Sequence, residues 1–564
     1  MKGDDLFEEM SEQRKKLQAD GDLPEWFTTQ GWQAYSQKYQ NEDTFKEQIK
    51  KICYTLSKYL PKSHRYQMRD TWIQLIMNNH AYLATPVLGN VGEHGCPVSC
   101  SGGYVQDSIH GFGTARLEAS LLSQQGFGTS AYLGAVRHRG AEISTGGTAD
   151  GAVPVFDDFC VMAEKVSQGS RRRGAWAGYL PIDHPDAIEL MEYIKRDPNK
   201  GNLGWCVSDQ FTQRLESGDQ EAEHLFQKAL YTKCLTGKGY FYFTDKVHRA
   251  QPQMYHDLGL RSQASNLCSE ITLHADPEHT FTCVLSGMCA STYDQWKGTG
   301  AVYCMTWFLD CVTSYFLDKA RDIPGLEAVI HGTEKSRALG LGLSGFHTLV
   351  QSKYLPLDSM EAHYLNSEIF RYMQLETGRA TYDMAETLGE PEWCKGYNVR
   401  NTHRTACAPN VTSSLIFGSE SQGIQPWYGN VYTEGGASGS LLRINPLFVQ
   451  ILKDHKKFNR DILLQVQHDS GSVRSLDFLS DREKLVLRTA FEIPQEALLN
   501  LASARQSFVD QSQSLNLFFA ADESEEYIAQ VHKQAFLDPK IKSLYYLRTQ
   551  SGVQASKGCT VCES

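Results

Sequence analysis

The sequence lacks any apolar stretch near the roughly 18 residues that a membrane span requires. The nearest approach, Val302–Leu317, is broken by Asp310. It also lacks an excess of positive charge: 55 Lys and Arg against 66 Asp and Glu leave a net charge of −11. Nucleic acids and anionic lipid surfaces attract the opposite sign, so neither DNA nor a membrane is an expected partner. Met1–Gln18 is charged throughout and does not read as a secretory leader. No fixed-period repeat or low-complexity tract occurs, which excludes solenoids and propellers. With 41% hydrophobic and 21% charged residues, disordered and fibrous classes are excluded too.

Cysteine is what the chain has. There are fifteen, an odd number, spread over the whole length. A secreted disulfide scaffold is short and dense in cysteine. The pattern fits a reducing compartment, where most thiols are buried as small hydrophobes and a few do chemistry.

At about 150 residues per domain the length allows three to four domains, or one large barrel with an accessory region. Residues 1–80 read as helical, including Glu42–Leu60 and Tyr66–Asn79. From 81 to 350, short β-like or turn segments (Thr85–Leu88, Cys100–Val105, Phe241–Phe243, Cys283–Ser286) alternate with helical ones (Thr114–Gln124, Val155–Val166, Ala222–Cys234, Val302–Ala320). Such alternation predicts an α/β fold with a parallel sheet or barrel. A long amphipathic helix is predicted over 359–388, site-bearing loops over 400–432, and mainly helix after 440. The expected division is a helical region at 1–80, a catalytic barrel at 81–548 and a mobile tail at 549–564.

Three local patterns carry chemistry. The tail holds Cys559 and Cys562 at i and i+3. This spacing suits a redox pair on a flexible arm, since no second pair completes a four-cysteine zinc site. In Asn266-Leu-Cys268-Ser-Glu270, extended backbone would put amide, thiol and carboxylate on one face. That set suits sulfur attack with a carboxylate taking a proton, but spacing alone favours a core cysteine in a strand. Tyr545-Tyr546, taken alone, reads as a packing pair.

Together these motifs resemble the catalytic large subunit of class I ribonucleotide reductase. Further matches are Thr85-Pro86, Val98-Ser99-Cys100, Asp107-Ser-Ile109, Ser167-Gln168-Gly169, Cys283-Val-Leu-Ser286, Arg400-Asn401, Pro409-Asn-Val-Thr412-Ser413-Ser414 and Asp510-Gln-Ser-Gln-Ser-Leu-Asn516. They are collinear over roughly residues 25–564. The resemblance implies a ten-stranded α/β barrel with a central finger loop, preceded by helices.

It further implies that Cys268 becomes a transient thiyl radical that removes the 3′ hydrogen of a ribonucleotide. Glu270 takes the 3′-OH proton, and Asn266 holds the sugar. Cys100 and Cys283 deliver two electrons and close a disulfide, which Cys559 and Cys562 reduce by exchange. Tyr545 and Tyr546 relay the radical from a small metal-containing subunit. The chain has one Glu-x-x-His, Glu221-Ala-Glu-His224, where a di-iron bundle needs paired motifs. No cofactor or metal is therefore expected in this chain.

Thr85, Ser99, Pro409, Thr412, Ser413 and Ser414 are expected to hold the substrate and its di- or triphosphate, with backbone N–H groups and hydroxyls as donors. Without the resemblance, the Ser/Thr cluster reads as a helix cap. Asp107, Arg137, Gln168 and Arg172 are expected at a nucleoside triphosphate effector (ATP or dNTP) site, on an unusually basic loop, Arg171–Arg173. Gly340-Leu-Gly342-Leu-Ser-Gly345 matches a dinucleotide fingerprint, but Pro356 interrupts the strand that should follow. A glycine-lined barrel strand entering a helix is the preferred reading.

The residues before Thr85 match the helical region rather than an ATP-cone, so no dATP inhibition through a cone is expected. Thioredoxin or glutaredoxin is the expected reductant, a homodimer (effector-dependent) the expected assembly, and the cytoplasm, a host's if the chain is viral, the expected location. The competing readings are the adenosylcobalamin-dependent class, which does not need the tyrosine pair, and a silent nucleotide-binding paralogue. The glycyl-radical class is disfavoured, because the tail lacks an Arg-x-x-Gly-Tyr element.

Overall fold

The computed structural model describes residues 2–550, apart from 145, 169–171 and 437–438. Four helices open the chain: Lys2–Ala19, Thr29–Lys38, Phe45–Ser57 and Lys62–Met77. The third begins at Phe45 rather than near Glu42 because Thr44 caps it, its hydroxyl accepting from Glu47 N at 3.1 Å. Its apolar stripe, Phe45, Ile49, Ile52 and Leu56, is buried. It joins the core that also contains Leu341 and Leu343 of the barrel and Trp307 of a central helix. The helical region and this side of the barrel thus share one hydrophobic core.

Two sheets hold ten strands between them. In chain order these are β1 (Ala81–Leu83), β2 (Cys100–Tyr104), β3 (Gly128–Tyr132), β4 (Ala175–Pro181), β5 (Asn202–Val207), β6 (Tyr240–Phe243), β7 (Phe281–Thr282), β8 (Leu285–Cys289), β9 (Gly340–Ser344) and β10 (Ser543–Leu544). The larger sheet runs β10-β6-β5-β4-β3-β2-β7, and the smaller β1-β8-β9. Strands β2 to β6 are mutually parallel, with helices in the crossovers, as the alternation predicts. The sheets meet at Cys283–Val284, which separate β7 from β8. Bridges Leu341↔Thr405 and Cys407↔Gln513 continue past β9, and Tyr545 N donates to Leu515 O at 2.8 Å. These contacts lead back to β10 and close the circuit.

Several expectations need correction. Thr85–Leu88 is not extended: Thr85–Asn90 is a short helix, with Pro86 in its first turn, where a missing N–H costs nothing. Cys283–Ser286 is split between two strands. After residue 440 the chain is not only helical, since a β-hairpin pairs Val431–Gly436 with Gly439–Ile444 and Leu517–Phe519 pairs with Leu547–Thr549. The 359–388 helix forms as Met360–Leu388. Gly340–Ser344 is a barrel strand, and the helix Phe346–Ser352 follows Gly345, at φ +78°.

Asp310, which interrupts the apolar run, is explained by its partners. Arg337 and Arg400 reach its carboxylate at 2.8 and 2.9 Å, and Asn401 donates at 3.0 Å. The two guanidiniums overcome burial and hold its pKa at about 2. The Arg400-Asn401 motif is thus part of a buried charge cluster.

Candidate active site

The finger loop crosses the barrel as irregular chain, and Asn266 to Leu273 are almost fully buried. Asn266, Cys268 and Glu270 do not share a strand face. Residues 266–269 form a turn, closed by Ser269 N to Asn266 O at 3.3 Å, with Ser269 left-handed at φ +64°. The Asn266 side chain makes the turn: its Oδ1 accepts from Glu270 N at 3.1 Å and Ile271 N at 3.2 Å, competing with strand pairing as short amides do. Its Nδ2 faces the Glu270 carboxylate and the Cys283 sulfur, without a hydrogen bond of good geometry.

Glu270 is buried, and loss of hydration pushes its carboxyl up to about 7, against its own backbone N–H, Ser514 and Asn266. The segment 511–514 clamps the loop from outside it. Ser512 N donates to Glu270 O at 2.8 Å, and Thr272 N donates to Gln511 Oε1 at 3.1 Å. Ser514 Oγ meets Cys268 O at 2.8 Å. Ser543 Oγ donates to Ser269 O at 2.8 Å.

Cys100 and Cys283 come together across 183 residues of chain. They flank the antiparallel β2–β7 pairing, where Ser101 faces Thr282, and Cys283 N donates to Cys100 O at 2.9 Å. Both are reduced, and their side chains hydrogen-bond each other; burial is the main cause holding the Cys283 thiol well above its ordinary range. Gly102 allows this approach, since a Cβ there would lie 2.1 Å from the Phe281 ring.

Cys100, Cys268 and Glu270 line one cleft, whose wall also includes Thr85, Ser99, Pro409, Asn410, Thr412 and Ser413. The helix of that wall starts at Val411. Its first internal bond, Ser414 N to Asn410 O at 2.8 Å, leaves the Thr412 and Ser413 N–H groups ahead of the ladder. Ser414 lies off the cleft wall, and its hydroxyl turns back to Val411 O at 2.8 Å. Ser413 Oγ donates to Leu83 O at 3.0 Å.

Tyr545 and Tyr546 have ring centroids 4.1 Å apart, tilted by 47°. Tyr545 belongs to the same buried cluster as Leu267 and Cys268. Arg137 Nε donates to Asp107 Oδ2 at 2.6 Å. Gln168 and Arg172 pair in a short antiparallel ladder; their side chains lie outside the described residues, as do Arg171 and the tail with Cys559 and Cys562. Glu221 and His224 are exposed on the helix Gln220–Thr236. Sequence reasoning quoted Asp510–Asn516 as a motif but gave Ser512 and Ser514 no role. Hydroxyls repeating beside two buried glutamines were the available signal.

The comparisons agree. A family profile described as ribonucleotide reductase, barrel domain, matches residues 98–222, 219–398 and 391–547. The chain is 32% identical over 514 residues to a Frog virus 3 (isolate Goorha) protein assigned as a ribonucleoside-diphosphate reductase large subunit, covering 85% of this chain and 90% of that one. It is 28% identical to the ribonucleoside-diphosphate reductase large subunit of Invertebrate iridescent virus 3, covering 84% and 88%. The solved Actinobacillus ureae class Id ribonucleotide reductase alpha subunit superposes with a TM-score of 0.85 at 31% identity, over 94% of this chain and 99% of that chain. The chain belongs to the ribonucleotide reductase large-subunit family.

Proposed function

We propose that the cleft between the finger loop and β2 reduces ribonucleoside diphosphates at C2′, with Cys268 as the radical-bearing residue. The observation that carries this reading is the convergence of Cys268, Glu270 and Cys100 on one cleft, with Cys283 hydrogen-bonded to Cys100 behind it.

The Cys268 sulfur radical takes the 3′ hydrogen, becoming S–H and leaving a carbon radical. Glu270, with a pKa near neutrality, accepts the 3′-OH proton. The 2′ oxygen leaves as water. Cys100 and Cys283 give up two electrons and two protons and become a disulfide. Cys268 returns its hydrogen to C3′. Thr85, Ser99, Pro409, Thr412 and Ser413 hold the sugar and phosphates. The names of the relatives favour the diphosphate.

The radical comes from a separate small subunit through Tyr546 and Tyr545. Cys559 and Cys562 re-reduce the internal disulfide, and thioredoxin or glutaredoxin reduces them in turn. Asp107 and Arg137, with Gln168 and Arg172, receive a nucleoside triphosphate effector in a homodimer. Residues 1–80, 81–548 and 549–564 act as support, catalytic barrel and redox arm. Among the described residues no helix is long and apolar enough to cross a membrane; the proposed place of work is the cytoplasm.

The test is CDP reduction by the full chain with its small subunit and dithiothreitol. Turnover is expected, and Tyr545→Phe should abolish it. Full activity of Tyr545→Phe with adenosylcobalamin alone would reject the two-subunit reading.

A further inference from the structure

Tyr545 and Tyr546 are not an isolated pair. Tyr240, at the start of β6, has its ring centroid 4.7 Å from that of Tyr545 and 5.4 Å from that of Tyr546. Tyr240 and Tyr545 are almost completely shielded from solvent, and Tyr546 is half-buried. Their arrangement is fixed by one buried side chain. Lys233 Nζ donates to Gly239 O at 3.0 Å and also to Tyr545 O. A single amine therefore ties the residue before Tyr240 to the backbone of Tyr545. Lys233 lies 5.7 Å above the Tyr240 ring, and burial pushes its pKa down to about 7. A good part of its population is thus uncharged near neutrality, which spares nearby rings a fixed positive charge that would oppose their oxidation.

Three phenols of the same intrinsic chemistry stand within ring contact, and the two that are shielded from water, Tyr240 and Tyr545, differ little in how readily each gives up an electron. Resting on the radical route proposed above, we infer that Tyr240 is a third oxidisable member of this cluster, exchanging the radical with Tyr545. The step balances: the Tyr545 phenoxyl gains one electron and one proton and becomes Tyr545–OH, while Tyr240–OH loses both and becomes the phenoxyl. It is reversible and consumes nothing. Because Tyr240 touches both rings, it offers a second route between them beside their direct contact, so its loss slows transfer without abolishing it.

The experiment places 3-aminotyrosine, which is easier to oxidise, at position 240 or at position 545 of the full chain. Each variant is mixed with the small subunit, CDP and ATP and read by electron paramagnetic resonance. The inference expects an aminotyrosyl radical from both. A radical at 545 with none at 240 overturns the role of Tyr240 while leaving the Tyr546–Tyr545 route standing; none at either overturns both. Tyr240→Phe gives the second readout: turnover is expected to fall several-fold with the KM for CDP unchanged. Turnover equal to that of the unaltered chain overturns the inference, and so does a fall matched by loss of CDP binding, because that marks a packing role.

Discussion

Ser514 Oγ lies 3.0 Å from Oε2 of Glu270. One hydroxyl, from a segment 244 residues further along the chain, thus reaches both the carboxylate assigned as base and the carbonyl of the residue assigned to carry the radical. Because it stabilises the ionised carboxylate, its removal should raise the Glu270 pKa further. Ser514→Ala is expected to shift the acid limb of the pH–rate profile to higher pH. Turnover below about pH 6 should fall about fivefold, the worth of roughly 1 kcal/mol for one hydrogen bond. An unmoved acid limb would contradict the contact's role.

The profile of the unaltered enzyme follows from Glu270. The carboxyl must be ionised to accept a proton, and burial pushes its pKa up to about 7. The kcat/KM for CDP should therefore drop about tenfold per pH unit below neutrality. Glu270→Gln should lose on the order of a hundredfold or more.

The same group affects stability with a definite sign. Between about 4.5 and 7 the folded chain keeps a proton on Glu270 that the unfolded chain releases. Its contribution therefore weakens as pH rises through that window. Glu118 and Glu420, pushed up to about 7 and about 8, act in the same sense. Urea unfolding at pH 5 and pH 8 should show a smaller loss of stability for Glu270→Gln than for the unaltered chain.

Asp310 has the opposite sign. Its pKa is held at about 2 by Arg337 and Arg400. Its stabilisation is present above about pH 4 and is lost as pH falls through 2. Asp310→Asn leaves the buried Arg337 and the half-buried Arg400 without a counter-charge and should cost about 3–5 kcal/mol in urea unfolding at pH 7. A change below about 1 kcal/mol would show that the cluster is hydrated.

Much of this architecture was legible in local sequence. The Met360–Leu388 helix follows from its periodicity and from Ser359, whose hydroxyl accepts from Ala362 N at 3.2 Å. The parallel strands follow from the alternation. Two local rules competed elsewhere. Alternation read Asn266, Cys268 and Glu270 as one strand face, whereas the Asn266 amide captures two backbone N–H groups and curls the chain. Thr85–Leu88 reads as β-like or turn, but Pro86 favours a first helical turn. The remainder was hidden because it is non-local. Nothing near Cys268 announces Ser514, nothing near Cys100 announces Gly102 beneath Phe281, and Lys233 meets Tyr545 only once β6 and β10 pair.

The most direct test of the account is turnover by Cys268→Ser. In the complete assay with small subunit, ATP, dithiothreitol and CDP, no dCDP should form, while CDP binds with its affinity unchanged. Formation of dCDP at an appreciable fraction of the normal rate would contradict the assignment of the radical to Cys268.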